Sequence, residues 1–176
     1  IVQLFYYKET MKKLFLMTIL FLSVFASVGT DLFAQEKLSK KERKAKEEQA
    51  LAKALEERNY QVDISMMSSS LGVKQITDNY SLTIKGDTIV SYLPYMGRAE
   101  NVPYGGGKGL NFEAKINKYE TSKTKKGTRI LIDVENDEDN YHFNLEVFPN
   151  GACSLSVLSR NRESINYSGD AHPIEE

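Results

Sequence analysis

The sequence predicts a mainly β (α+β) domain: an antiparallel meander of about eight strands, curled or barrel-like, with one N-terminal helix. Three observations predict it. From Tyr60 onward, apolar and polar residues alternate in run after run, the period of a strand with one buried face. Short turn sequences such as Gly86-Asp87 and Pro149-Asn150-Gly151 separate the runs, and no helical stretch intervenes, which excludes a parallel βαβ sheet. Ahead of the runs lies one segment, Glu36 to Asn59, built of Ala, Leu, Glu, Lys, Gln and Arg, all strong helix formers. A sheet of about eight strands tends to curl or to close into a barrel.

The chain of 176 residues begins at Ile1, and its first methionine is Met11. From there Lys12 and Lys13 form a basic start, Leu14 to Val28 is nearly all apolar, and Ala34 precedes Gln35. That is the build of a secretory signal peptide, and the apolar run is short for a bilayer-spanning helix. An uncleaved membrane anchor is the competing reading. Leu32, rather than a small residue, stands three positions before the cut, so the cleavage site is not fixed. Residues 1–10 read as an upstream extension outside the fold and 11–34 as the signal peptide. Residues 35–58 are then the charged helix, 59–170 the β-rich domain and 171–176 a tail. The expected location is exported, periplasmic or secreted, with no membrane span after cleavage.

Leaving out Lys8, Lys12, Lys13, Glu9 and Asp31, the exported portion carries 20 basic and 22 acidic side chains. Such a balance gives no electrostatic footprint for nucleic acid. Cys153 is the single cysteine, so neither an internal disulfide nor a lipidated N-terminal cysteine is expected. Stability must come from a core, and about 140 residues suffice to bury one.

In the helical segment, Ser39 stands three before Glu42, the spacing of a capping box. Only Ala50, Leu51, Ala54 and Leu55 form an apolar stripe; the rest is charged and reads as a solvated face. Tyr60, Val62, Ile64 and Met66 then alternate with polar residues, followed by a Ser-rich link through Gly72. Tyr80, Leu82 and Ile84, a turn at Gly86-Asp87, and Thr88 to Leu93 read as a hairpin. Further alternating runs begin at Leu110, Ile130, Tyr141 and Cys153, and Ile165 and Tyr167 close the pattern.

Little in the chain carries recognisable chemistry. The histidines, His142 on a polar strand face and His172 in the tail, have unrelated placements and do not make a metal site. Cys153 is in phase with Leu155 and Val157, as a buried small hydrophobe would be. The acidic run Asp133 to Asn140 lacks the glycine and glutamate positions of an EF-hand and reads as a solvated hairpin turn. Gly105-Gly106-Gly107-Lys108-Gly109 is not a Walker A loop. Val102 occupies the first glycine position, Gly109 replaces the Ser or Thr, and no helix follows. No catalytic residues, metal ligands or cofactors are expected, and the chain reads as not an enzyme.

The exception is the connection SYLPYMGRAENVPYGGGKG, Ser91 to Gly109. Long connections are often functional, or else packed as Ω-loops. Tyr92, Tyr95 and Tyr104 bring amphipathic bulk, and Arg98 a planar fork for carbonyls or a carboxylate. These four are the candidate ligand-binding residues; a loop locked over a barrel end is the structural alternative.

Two stretches, Asp78 to Ala114 around SYLPYMGRA and Phe143 to Gly169, resemble the domain of unknown function (DUF) 4251 family of exported Gram-negative proteins. Glu163-Ser164 departs from a Gln-Pro-like pair that the resemblance leads one to expect. Membership would imply location and fold, and no catalytic residue. The functional expectation is a non-enzymatic small-ligand binding module, for instance for a small apolar ligand. A structural or protein-interaction component of the cell envelope, meeting an envelope protein, is the alternative.

Overall fold

The computed structural model describes residues 40–99 and 110–174. One helix, α1 (Lys40–Glu57), precedes nine strands: β1 (Asn59–Ser69), β2 (Gly72–Gln75), β3 (Ser81–Lys85), β4 (Thr88–Leu93), β5 (Leu110–Lys123), β6 (Thr128–Glu135), β7 (Asn140–Val147), β8 (Ala152–Ser159) and β9 (Ile165–Pro173). All pairings are antiparallel. Strands β3 to β9 follow one another as a meander, and β9 returns to β1, closing an eight-stranded barrel. The short β2 pairs with the far end of β1 and stands outside the closure. The predicted meander is therefore present, with a ninth strand that starts at Gly72, where the Ser-rich link ends.

Closure follows from the alternation. Inward positions such as Val62, Leu82, Ile89, Ile132, Leu145 and Leu155 are fully buried, while their neighbours along each strand face out. An eight-stranded barrel has an interior just wide enough for side chains to fill. Here Tyr60, Tyr141, Tyr167 and Phe143 supply the bulk, and Phe112 stacks on Tyr141 with ring centroids 4.6 Å apart. Two strands change partner along their length to make the shear. β5 pairs with β4 over Leu110–Lys115, then with β6 from Ile116, with a bulge at Asn117. β1 carries a bulge between Ile64 and Met66 where it meets β9. Gly169 lies opposite that bulge, and any Cβ there would collide with the Asp63 carbonyl.

The last turns of α1 pack against β1 and β9 through Leu51, Ala54 and Leu55, all buried. Ala50, the fourth member of the predicted stripe, is exposed. The helix ends at Arg58, which takes a left-handed φ of 54° that ordinarily favours glycine. Arg58 holds this position through its side chain and carbonyl. Its Nη1 donates to Asp87 Oδ1 at 3.0 Å, its guanidinium lies 4.4 Å from the Tyr119 ring centroid, and its carbonyl accepts from Gly86 N–H.

β9 runs on to Pro173, beyond the end of the domain predicted from sequence. Ala171 continues the inward row after Tyr167 and Gly169, and its N–H donates to Gly151 O at 2.7 Å. Residues 1–34, read as extension and signal peptide, lie outside the described residues, as does Ser39 of the capping box. Among the described residues, no helix is long and apolar enough to cross a membrane.

Candidate functional site

The loop that the sequence singles out leaves β4 at one end of the barrel. Tyr92, the last outward residue of β4, is half exposed and stacks on Tyr80 with centroids 4.9 Å apart. Beside it Ser91 turns inward, and its hydroxyl donates to Leu110 O at 2.6 Å, joining the two feet of the loop. The next segment, Pro94 to Ala99, is bound rather than open. Tyr167 reaches up from β9 and donates its hydroxyl to Pro94 O at 2.6 Å. The Tyr95 hydroxyl lies between the carbonyls of Arg98, at 2.8 Å, and Glu163, at 3.1 Å. Gly97 makes that fold possible, because a Cβ there would stand 2.6 Å from the Tyr95 hydroxyl oxygen.

The partner of this segment is the β8–β9 turn. Glu163 N–H donates to Arg98 O at 3.0 Å, and Arg98 N–H donates to Glu163 Oε2 at 3.2 Å. Ala99 bridges to Arg162. Ser70, in the β1–β2 turn, donates its hydroxyl to the same Glu163 Oε2 at 2.7 Å, so three chain segments meet on one carboxylate. That hydroxyl, followed by the Arg98 N–H, holds the Glu163 carboxyl below its ordinary value. Burial pushes the Tyr95 and Tyr167 hydroxyls up, and both act as donors. Arg162 pairs with Glu138 at 3.3 Å beneath the loop, 5.6 Å from the Tyr95 ring centroid.

The acidic turn supports the same assembly. Asp139 is buried, unlike the solvated residue expected from sequence. Its carboxylate accepts the N–H groups of Asn140, Arg160 and Asn161 at 2.8, 3.1 and 3.0 Å. Asn136 Oδ1 caps the turn by accepting from Glu138 and Asp139 N–H. The run that looks like a cation loop is a fastener between the β6–β7 and β8–β9 turns. Among the described residues, no group of three or more His, Cys, Asp or Glu side chains is placed to hold a metal ion.

Of the four candidate residues, then, Tyr95 and the Arg98 backbone are engaged in holding the loop. The Arg98 side chain is exposed, and Tyr92 faces outward on the adjoining wall. Tyr104, together with the glycine run, lies outside the described residues.

A concave surface opens elsewhere, on the outer wall. Where β5 leaves β6 at the Asn117 bulge, an open groove of about 520 Å³ runs across β6, β7 and the end of β8. Asp133 and His142 are register partners at its centre, with His142 Nδ1 2.7 Å from Asp133 Oδ1. Leu158, the next partner in the row, is half exposed. Glu135 and Arg160 stand at the end nearer the lock. Sequence reading places His142 correctly on the polar face but gives no sign of the groove. A bulge and a partner change leave no periodic signature.

The remaining reactive groups are accounted for by packing. Cys153 faces the core, and burial pushes its thiol up to about 12, so it is not a thiolate nucleophile. His172 lies in β9 rather than in a tail, and its Nε2 is 2.9 Å from Asp63 Oδ2 across the β1–β9 seam. At the helix end, the Tyr60 and Tyr119 hydroxyls are 3.2 Å apart, and Tyr119 donates to Leu55 O at 3.3 Å.

A closed antiparallel barrel, packed by a helix at one end and fastened by a tyrosine-anchored loop at the other, defines the class. The model of the family described as Domain of unknown function (DUF4251) matches residues 42–171, and the chain belongs to that family. A crystal structure of a DUF4251 family protein from Bacteroides eggerthii DSM 20697 is similar, with a TM-score of 0.53 and 14% identity. The match covers 73% of this chain and 89% of that one, a likeness of fold. No curated protein matches the chain.

Proposed function

We propose that this DUF4251 protein is an exported, non-enzymatic module that binds a small ligand on its outer wall, in the periplasm or outside the cell. The observation that carries the reading is the open groove across β5 to β8, whose side chains keep hydrogen-bonding capacity. The lumen is packed with aromatic and aliphatic side chains, so a ligand would meet the wall rather than the interior. Tyr95 and Arg98 then serve as supports, holding the turn from which Arg160 reaches the groove. Export rests on the signal-peptide pattern from Met11 to Ala34.

Native mass spectrometry of the exported form, purified gently from cell envelope extract, tests this reading. A small molecule retained by the wild type and lost from a His142→Ala, Leu158→Asp double variant is the expected result. A clean apo mass with a co-purifying protein would replace it with the second reading, an envelope interaction component. That second reading is favoured by the β1–β2 hairpin, where Leu71 and Val73 are 60% and 70% exposed beside an edge of β2 that no strand pairs among the described residues.

A further inference from the structure

The chemistry of the groove narrows the ligand class, an inference that rests on the binding reading above. Its central pair fixes a proton. Asp133 Oδ1 only accepts, so His142 Nδ1 carries the hydrogen, and in the neutral ring Nε2 presents a lone pair. Among the described residues Nε2 has no partner, and neither the Glu135 carboxylate nor the Arg160 guanidinium makes an ion pair there. The groove therefore offers acceptors at His142, Asp133 and Glu135, a donor fork at Arg160, and an amide with both capacities at Asn117.

Three features decide between ligand classes. The two carboxylates are partly offset by Arg160, while the neighbouring Lys118 is paired with Glu120 at 3.0 Å. The groove thus carries both signs, so a dicarboxylate or a phosphate would face Asp133 and Glu135, and a diamine would face Arg160, each a like charge. The polar groups stand around a carbon-lined floor to which Leu158 contributes exposed methyls, so a purely charged ligand would leave that floor uncovered. A purely apolar ligand would instead cover the Glu135 carboxylate and His142 Nε2 without supplying either a partner. What remains is a neutral molecule with hydroxyls that donate and accept at its edge and C–H groups on its face.

We infer that the groove between the Asn117 bulge and Leu158 binds a neutral saccharide unit. His142 Nε2 and the Asp133 and Glu135 carboxylates would accept from ring hydroxyls, Arg160 would donate to another, and the C–H face would lie on Leu158. The volume of about 520 Å³ is within the usual range for small-molecule sites, roughly 300–1,000 Å³.

The test follows backbone amide chemical shifts of the full-length protein while separate probes are added at millimolar concentration. The probes are maltose, cellobiose and lactose as neutral disaccharides, succinate as a dicarboxylate, putrescine as a diamine, and diglycine as a zwitterion. The expected result is a saturable shift with at least one disaccharide, confined to residues around Asn117, Asp133 to Glu135, Asn140 to His142 and Leu158 to Arg160. In that case His142→Ala and Leu158→Asp should each weaken binding about tenfold, and Lys74→Ala, on the β2 hairpin, should leave it unchanged. Shifts in the groove with succinate, putrescine or diglycine, and none with a disaccharide, would overturn the ligand class and leave the binding reading standing. A groove unmoved by every probe overturns the saccharide inference, and the retained-mass experiment then decides the binding reading separately. Both substitutions lie on the outer face, and an unchanged amide spectrum elsewhere confirms that each variant folds.

Discussion

The two ends of the barrel are closed by different physics. At the helix end, Leu51, Ala54 and Leu55 bury apolar surface against β1 and β9, and hydrogen bonds are secondary. At the loop end, closure is polar: Tyr167 holds Pro94, Tyr95 spans Arg98 and Glu163, and Glu163 gathers the β1–β2 turn, the loop and its own turn. Apolar closure is insensitive to direction and tolerates an exposed Ala50. Polar closure is directional, so each partner must sit within a few tenths of an ångström, and a side chain at 97 would press on the Tyr95 hydroxyl.

The largest effect is expected at the helix end. Leu55→Ala removes a side chain that is 5% exposed and should destabilise the domain by about 2–5 kcal/mol in urea denaturation. A loss under about 1 kcal/mol would mean that α1 rests on the barrel without closing it. Tyr167→Phe comes next. It leaves the Pro94 carbonyl without its donor while preserving the ring in the core, and about 1–3 kcal/mol should be lost. Gly97→Ala should displace the Tyr95 hydroxyl and cost about 1 kcal/mol, with the amide shifts of Arg98 and Glu163 moving together.

The smallest effect sharpens the contrast through pH. The folded Glu163 carboxyl titrates below its ordinary value of 4.5, so its contribution is complete above that value. The contribution is lost as pH falls through the lower folded value. Glu163→Gln should therefore lower the melting temperature slightly at neutral pH and converge with the wild type in acid. A difference that persists unchanged into acid would show that the Glu163 charge has no part in the lock. Leu55→Ala, lacking a titrating group, should keep its deficit across the same range.

The same division explains what the sequence reveals. Alternation at Val62, Leu82, Ile132 and Leu155 is a direct imprint of burial on one face, so the barrel wall is legible from pattern alone. Leu51, Ala54 and Leu55 announce the docking turn of the helix for the same reason. The lock is not legible, because the contacts that join its separate segments link residues 65 and 93 positions apart, as between Glu163 and Arg98 or Ser70. Polar residues also carry no period that distinguishes a solvated side chain from a fastened one, and Asp139 is the clearest case. Arg58 hides a helix stop, since a left-handed residue is ordinarily signalled by glycine. Of the groove, only the outward direction of His142 was readable; the partner Asp133 and the Asn117 bulge depend on cross-strand register.

Amide hydrogen exchange at Arg98 and Glu163 tests most directly whether Pro94 to Ala99 is a fastened segment and not a free lip. Both N–H groups donate across the junction, one to the Glu163 carboxylate and one to the Arg98 carbonyl. In the wild type both should be protected well beyond exposed-loop rates, and Tyr95→Phe should accelerate the two together. Exchange of both at unprotected rates in the wild type would contradict the lock and return Tyr92, Tyr95 and Arg98 to the role of a ligand-binding rim.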